Sequence, residues 1–275
     1  MSSNKGTDPN DIIRREERGP FDLVGDVHGC FDELVQLLQQ LGYQVDAKES
    51  NPQATPPPGR RFIFLGDLAD RGPKSPAVLR LAMNMVRSGH AFCVMGNHDN
   101  KLMRKLKGND VQVGWGMQET LDQLAEEKPE FSADVFTFLT ELPLHLVLDG
   151  GQLVVAHAGL RENLHGVNSR AAKAFCLYGD TTGETNELGF PVRRDWAAAY
   201  NGKPSVVYGH TPVDDAEWRN NTINIDTGCV YGGQLTGLRF PERELVQVAA
   251  ARAYYTHEAD DVSSQDLASR REKGE

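Results

Sequence analysis

Six short polar clusters carry side chains able to do chemistry, and each follows a run of apolar residues. The first is Gly25-Asp26-Val27-His28-Gly29, after Phe21-Asp22-Leu23-Val24. The second is Gly66-Asp67-Leu68-Ala69-Asp70-Arg71-Gly72, after Arg61-Phe62-Ile63-Phe64-Leu65. The third, Gly96-Asn97-His98-Asp99, follows Ala91-Phe92-Cys93-Val94-Met95. His157 ends Val154-Val155-Ala156-His157, His210 follows Val206-Val207-Tyr208-Gly209, and Asp226 follows Ile223-Asn224-Ile225. Asp26 and His28 are two apart, so an extended chain points them to one side. Taken singly, an Asp before Gly is a turn or cap, and a lone His is a hydrogen-bonded structural residue. Jointly they are more. The five fixed residues of G-D-x-x-D-R-G alone arise by chance in a chain this long with a probability on the order of 10⁻⁴.

The donors are carboxylate and amide oxygens and imidazole nitrogens, with no sulfur. That set suits borderline or hard divalent ions, Mn²⁺ first, with Fe, Zn, Ni or Mg as alternatives. Six donors are more than one catalytic ion with an open position needs. Two ions about 3.5–4 Å apart, sharing one carboxylate, would use them all, and such a pair activates water for in-line displacement at phosphorus. Arg71 offers a fork for phosphate oxygens. Asp70 is placed to orient a histidine, the usual arrangement for a proton donor to the leaving oxygen.

The elements that must hold these clusters are legible from periodicity. Strands are expected over 21–24, 61–65 and 91–95, and helices over 31–41 and 75–88, the latter with Pro76 in its first turn. Further helices are expected over 100–107, 117–127, 131–139 and 169–177. Strands 144–148 and 152–156 should pair around the Asp149-Gly150 turn, and later strands cover 206–208, 222–225, 235–240 and 244–248. The Pro-rich stretch 51–59 reads as a stiff loop. Strand–helix alternation followed by a strand-rich second half implies an α/β (α+β) layered domain, with two packed mixed sheets flanked by helices. Residues 1–19 read as a polar arm, 20–256 as the domain and 257–275 as a polar tail.

The motifs GDVHG, GDLADRGP, GNHD, VVAHAGL and YGHT together resemble those of the metallophosphoesterases of the phosphoprotein-phosphatase superfamily, over about residues 21–248. Within it, the stretches around GDVHGCFDELVQLLQQLGY, GNHDNKLMRKLKGNDVQVGWGMQETLDQL, LYGDTTGETNELGFPVRRDWAAAY and NNTINIDTGCVYGGQLTGLRFPERELV resemble the phosphatase module of bacterial polynucleotide kinase-phosphatase. The resemblance implies an αββα sandwich. It implies that Asp26, His28 and Asp67 hold one metal and that Asp67, Asn97, His157 and His210 hold the other. It implies that Arg71 binds substrate phosphate with help from Asn97, and that His98, paired with Asp70, is the proton donor. Asp226 matches a functional acidic position behind the ligands, where it would either fix a ligand histidine or, on the plainer reading, cap the turn before Gly228. Ala69 stands where the family often has a β-branched residue, a packing change only.

The implied substrate is a phosphomonoester, with diesters, 2′,3′-cyclic nucleotide phosphates and RNA ends beside it. Diadenosine-tetraphosphate hydrolase and protein Ser/Thr phosphatase are alternatives with the same core. A metal-binding scaffold without activity is the non-enzyme alternative, and the filled ligand positions argue against it. Neither a G-x-x-x-x-G-K-[ST] phosphate loop nor a Lys-x-Asp-Gly motif occurs, so no kinase or ligase module is expected in this chain.

Composition excludes other classes. Of 275 residues, 39% are hydrophobic and 25% charged, which rules out a wholly disordered chain, a collagen-like fibre and a coiled coil. No apolar run approaches the ~18 residues of a membrane span. The net charge of −10 argues against a general binder of nucleic-acid backbone. Cys30, Cys93, Cys176 and Cys229 are scattered, and the start lacks an apolar stretch, so a reduced, cytoplasmic setting is expected. Weaker signals remain. Lys101, Arg104 and Lys105 share a helical face that either meets solvent or draws in phosphate. Arg193, Arg194, Asp195, Trp196 and Tyr231 form either a rim for base and phosphate or, for Trp196, plain packing. Arg14, Arg15 and Arg18 alternate with Glu16 and Glu17 as a mixed surface stretch.

Overall fold

A computed structural model describes residues 12–114, 116–186 and 191–256. The chain runs β1 (Phe21–Val24), α1 (Phe31–Gln40), the hairpin β2 (Gln44–Asp46) and β3 (Gln53–Thr55), then β4 (Arg61–Phe64), α2 (Ser75–Arg87) and β5 (Ala91–Cys93). Three helices follow, α3 (Asn97–Leu106), α4 (Met117–Ala125) and α5 (Pro129–Glu141). Next come β6 (His145–Leu148), β7 (Leu153–Ala156), α6 (Arg170–Tyr178) and the hairpin β8 (Thr181–Thr185) and β9 (Pro191–Arg193). The last strands are β10 (Ser205–Tyr208), β11 (Trp218–Arg219), β12 (Thr222–Asn224), β13 (Asp226–Thr227), β14 (Gln234–Phe240) and β15 (Glu244–Ala249).

One sheet has six strands, in the order β13-β14-β1-β4-β5 with β15 on the other side of β14; the second has five, β11-β12-β10-β7-β6. β1, β4 and β5 are mutually parallel, as are β7, β10 and β12. Period-two alternation sorts the side chains into layers. Phe21, Leu23, Ile63 and Leu65 meet Leu146, Leu148, Val155 and Val207 between the sheets. The intervening residues Val24, Phe62 and Phe64 face outward onto Leu34, Leu37 and Leu38 of α1 and Leu81 of α2. On the far side, Val147, Val154 and Val206 pack under Phe175, Cys176 and Trp196. The result is the expected sandwich of two mixed sheets between helical layers. No helix among the described residues is long and apolar enough to cross a membrane.

Three local differences have physical reasons. The helix expected over 100–107 begins at Asn97, because its first turn is built from the polar Asn97, His98 and Asp99 and carries no apolar period. Gln53–Thr55, inside the expected stiff loop, pairs with Gln44–Asp46, and the prolines that follow confine that strand to three residues. Residues 181–193 form a hairpin that periodicity did not signal, and its tip, 187–190, lies outside the described residues. Within the expected polar arm, the Val147 N–H donates to the Ile12 carbonyl at 2.8 Å and the Arg14 N–H to the Val147 carbonyl at 2.9 Å. Residues 1–11 and the expected tail, 257–275, lie outside the described residues.

Candidate active site

Because β1, β4 and β5 are adjacent and parallel, the loops leaving their C-terminal ends open on one edge of the sandwich, where ligands of such sheets bind. These loops deliver Asp26 and His28, then Asp67, Asp70 and Arg71, then Asn97 and His98. β7 and β10 deliver His157 and His210 from the facing sheet, and Asp226 opens β13. All of the expected site residues therefore converge. The backbone is bent to do it: His28, Asp67, Asp70, Arg71 and His210 are five of the eight non-glycine residues with positive φ among those described. Conformations of that kind cost of order 1–3 kcal/mol each and gather at functional sites.

The histidines are fixed by main-chain carbonyls. His28 Nδ1 lies 2.8 Å from the Ala69 carbonyl and His157 Nδ1 3.0 Å from that of Leu65. Each Nδ1–H donates there, which leaves each Nε2 as a lone pair. The His28 lone pair takes an Arg71 N–H at 2.8 Å and has a carboxylate oxygen behind it, while the His157 lone pair points at the oxygens of Asp67 and Asn97. Asp67 Oδ2 lies 3.5 Å from His28 Nε2 and 3.4 Å from His157 Nε2. Asn97 Oδ1 is 2.8 Å from the same His157 Nε2, and His210 Nδ1, which carries its ring's proton because Arg193 donates to Nε2, is 3.2 Å from it. Acceptors crowded against acceptors are satisfied by a cation between them. The donor atoms of Asp67, His157 and His210, and separately those of His28, Asp67 and His98, lie within 4.8 Å of one another. The residues therefore fit divalent ions; Asp67 belongs to both groups, Asp26 to neither, and His98 rather than Asp26 completes the group of His28 and Asp67.

Electrostatics point the same way. Burial pushes Asp26 well above the usual carboxylate range, with Asp226 and Asp67 adding like-charge repulsion. Burial likewise pushes Asp67 up to about 8, and it holds His157 down to about 4 and His28 and His210 well below the ordinary imidazole value. Buried carboxylates beside neutral imidazoles are a poor arrangement alone and a good one around a metal.

On the other flank, His98 Nδ1 donates to Asp70 Oδ2 at 2.6 Å. Burial drives Asp70 up to about 7 and holds His98 well below the ordinary imidazole value. His98 Nε2 is left to face the site. Lys101 lies close enough for its charge to bear on both groups. Arg71 Nη1 is 2.8 Å from His28 Nε2, and its guanidinium carbon lies 5.4 Å from the Tyr231 ring centroid and 5.9 Å from that of Tyr255. The two rings hold the fork beside these candidate ligands. Gly116 makes room for it: its carbonyl accepts the Arg71 N–H at 3.1 Å, and a Cβ there would collide with the Arg71 backbone. The cavity these residues enclose is about 50 Å³, lined by Asp26, His28, Arg71, His210, Asp226 and Tyr231 among others.

Asp226 takes the second of its two expected parts, the turn cap. Its Oδ1 accepts the Gly228 N–H at 3.1 Å and no histidine nitrogen, while its charge bears on Asp26. Fixing the histidines falls instead to the two carbonyls and to Arg193, whose Nη2 lies 2.9 Å from His210 Nε2. Trp196 is packing, with its ring 5.7 Å from Phe175 and 5.0 Å from Tyr208.

Sequence reasoning missed Asp99. Fully buried, its carboxylate accepts the Asp67 N–H at 2.8 Å, the Leu68 N–H at 3.1 Å and the Gly96 N–H at 3.0 Å. It therefore ties the loop after β4 to the start of α3, and its place in GNHD was the signal available. Asp99→Ala strands three buried donors, at about 1–3 kcal/mol each. We expect at least about 3 kcal/mol lost in urea denaturation, with activity falling as Asp67 drifts. A loss within 0.5 kcal/mol, the range of ordinary surface substitutions, would contradict this role.

Comparison with known proteins bears on the family. A family model described as calcineurin-like phosphoesterase matches residues 19–233. The asymmetrical bis(5′-nucleosyl)-tetraphosphatase PrpE of Bacillus velezensis is 49% identical over 85% of this chain and 94% of its own length. That of Bacillus subtilis (strain 168) is 49% identical over 85% of this chain and 96% of its own. The crystal structure of a candidate diadenosine tetraphosphatase superposes with a TM-score of 0.63 at 28% identity, over 88% of this chain and 98% of that one. A yeast protein serine/threonine phosphatase similar to human phosphatase PP5 shares the fold, at TM-score 0.56 and 17% identity over 90% and 81% of the two chains. The narrower likeness to polynucleotide kinase-phosphatase finds no support among these relatives. The motifs, the sandwich, the convergent donors and the match over most of the chain agree: this chain belongs to the calcineurin-like phosphoesterase family.

Proposed function

We propose that this chain hydrolyses bis(5′-nucleosyl) tetraphosphates at an outer anhydride bond, releasing a nucleoside monophosphate and a nucleoside triphosphate. The observation that carries this reading is the 49% identity to proteins named for that activity across 94% and 96% of their length. The word asymmetrical in their names has a chemical meaning. Of the three anhydride bonds in a tetraphosphate bridge, cutting the central one gives two equal products, and cutting either outer one gives unequal products.

Two divalent ions, Mn²⁺ foremost, would be held by Asp26, His28 and Asp67 and by Asp67, Asn97, His157 and His210. When bound they lower the pKa of water and offset phosphoryl charge. The chain's own residues do the rest. Arg71, braced by Tyr231 and Tyr255, grips non-bridging oxygens of the reacting phosphate, with help from Asn97. His98, as the imidazolium with its Nδ1–H on the Asp70 carboxylate, presents Nε2–H to the departing oxygen, gives it that proton and regains one from the water consumed. No side chain forms a covalent phospho-enzyme in this scheme. A cytoplasmic setting belongs to the same proposal and agrees with four cysteines that are all free thiols.

Phosphomonoesters, 2′,3′-cyclic phosphates and RNA ends would meet the same core, so kinetics must separate them. With Mn²⁺, kcat/KM for diadenosine tetraphosphate should exceed those for p-nitrophenyl phosphate and 2′,3′-cyclic AMP by at least about 100-fold, some 2.7 kcal/mol of extra transition-state binding, and EDTA should abolish all three. Preference for the cyclic nucleotide or for a phosphorylated RNA end would overturn the tetraphosphate reading.

A further inference from the structure

A cleft of about 580 Å³ opens beside the metal-ligand cluster, lined by Arg161, Asp180, Arg194, Trp196, Tyr200 and Asn201 among others. It is more than ten times the size of the roughly 50 Å³ cavity at the ligands themselves, and it falls in the range typical of small-ligand pockets. Two ligand histidines tie it to the site. Arg161 lies four residues beyond His157, and the Trp196 ring packs so tightly on the intervening Gly159 that a Cβ there would collide with it. Arg193, bonded through Nη2 to His210, immediately precedes Arg194.

At one end the cleft presents two guanidiniums that share one carboxylate. Asp180, its side chain 9% exposed, receives two guanidiniums: Arg161 Nη2 on Oδ2, and Arg194 Nη1 on Oδ1 at 3.4 Å. The Asp180 carbonyl also accepts the Arg194 N–H at 2.7 Å. The arginine side chains themselves are 49% and 60% exposed. One nearly buried carboxylate thus aims two outward forks, each with N–H groups to spare. The Arg161 guanidinium is steadied further, 5.2 Å from the Phe175 ring centroid. The remaining wall differs in kind. Trp196, Ala199 and Tyr200 give apolar surface, Asn163 and Asn201 give amide groups suited to a base edge, and Glu162 gives a carboxylate of the sort that accepts ribose hydroxyls. Asp195 is already engaged by Arg219.

A substrate with four phosphates between two nucleosides is longer than a centre that holds one phosphate. An unequal cut also requires that the two ends be held differently. We infer that this cleft holds the triphosphate end of the dinucleoside substrate, with Arg161 and Arg194 on the phosphates beyond the scissile bond and the Trp196–Tyr200–Asn201 wall around the nucleoside. This rests on the tetraphosphate reading above. It assigns the cleft to the leaving group, which departs as a nucleoside triphosphate.

The test uses the full-length, Mn²⁺-loaded enzyme and two variants, the double substitution Arg161→Gln/Arg194→Gln and the cleft-filling Ala199→Trp. Each should lower the ratio of kcat/KM for diadenosine tetraphosphate to that for p-nitrophenyl phosphate at least tenfold, mainly through KM. Inhibition by ATP should weaken tenfold while inhibition by AMP shifts less than twofold. Both variants change exposed positions, and melting curves matching the wild type would show that they fold. Ratios within twofold of wild type in both would overturn the inference while leaving the tetraphosphate reading in place. A wild-type enzyme without tetraphosphate turnover would instead remove the reading on which it rests.

Discussion

Replacing Asp67 by asparagine should abolish turnover and metal binding together while leaving the fold intact. The amide keeps the shape and an oxygen that can accept the His98 N–H, which Asp67 Oδ1 now does at 3.0 Å. It removes the charge that lies 3.5 Å from His28 Nε2 and 3.4 Å from His157 Nε2. Because Asp67 is the carboxylate common to both ligand groups, its loss should weaken both ions rather than one. Metal charge stabilisation is worth several kcal/mol, and ~4 kcal/mol corresponds to about 10³ in rate. We therefore expect kcat at least about 10³-fold lower. Elemental analysis after desalting should find two ions per chain in the wild type and at most one in the variant. Turnover within tenfold of wild type at full metal content would refute the shared role.

The second large effect concerns His98 and depends on the leaving group. A positioned general acid contributes about 10²–10⁴ in rate, most where the departing oxygen is most basic. Phenol, with a pKa near 10, leaves poorly unprotonated. A phosphate chain, with a last pKa of about 6, leaves well. His98→Ala should thus slow phenyl phosphate hydrolysis by about 10³-fold and tetraphosphate hydrolysis by about tenfold. Bound metal should be retained, since His98 Nδ1 is committed to Asp70. Equal losses on the two substrates would make His98 a charge stabiliser and not a proton donor.

Much of this was legible in the sequence because two periodicities are strong. Strand β1 and the alternation of Phe62 and Phe64 against Ile63 and Leu65 follow directly from period-two patterning, and the spacing of Leu34, Leu37 and Leu38 marks α1. The candidate ligands were legible because each stands at the end of such a strand. What escaped has a common cause: contacts made across long stretches of sequence leave no local pattern. Asp99 joins two loops 32 residues apart, and Tyr255 reaches Arg71 from the far end of the domain. Nothing in the neighbours of Arg193 shows that it meets His210. Of the two parts open to Asp226, sequence could not choose, for a related reason. A nearby carbonyl does for His28 and His157, and Arg193 for His210, what a carboxylate could have done. Substrate choice was least legible, since the shared motifs build the metal core, while the side chains inferred to sort substrates lie between 161 and 201, outside those motifs.

The most direct test of the central claim is to identify the products of diadenosine tetraphosphate hydrolysis by the Mn²⁺-loaded enzyme, by ion-exchange chromatography over the first tenth of the reaction. The account predicts AMP and ATP in equal amounts, none after EDTA treatment, and none from the Asp67→Asn variant. Two equivalents of ADP, or no turnover while p-nitrophenyl phosphate is still consumed, would contradict it.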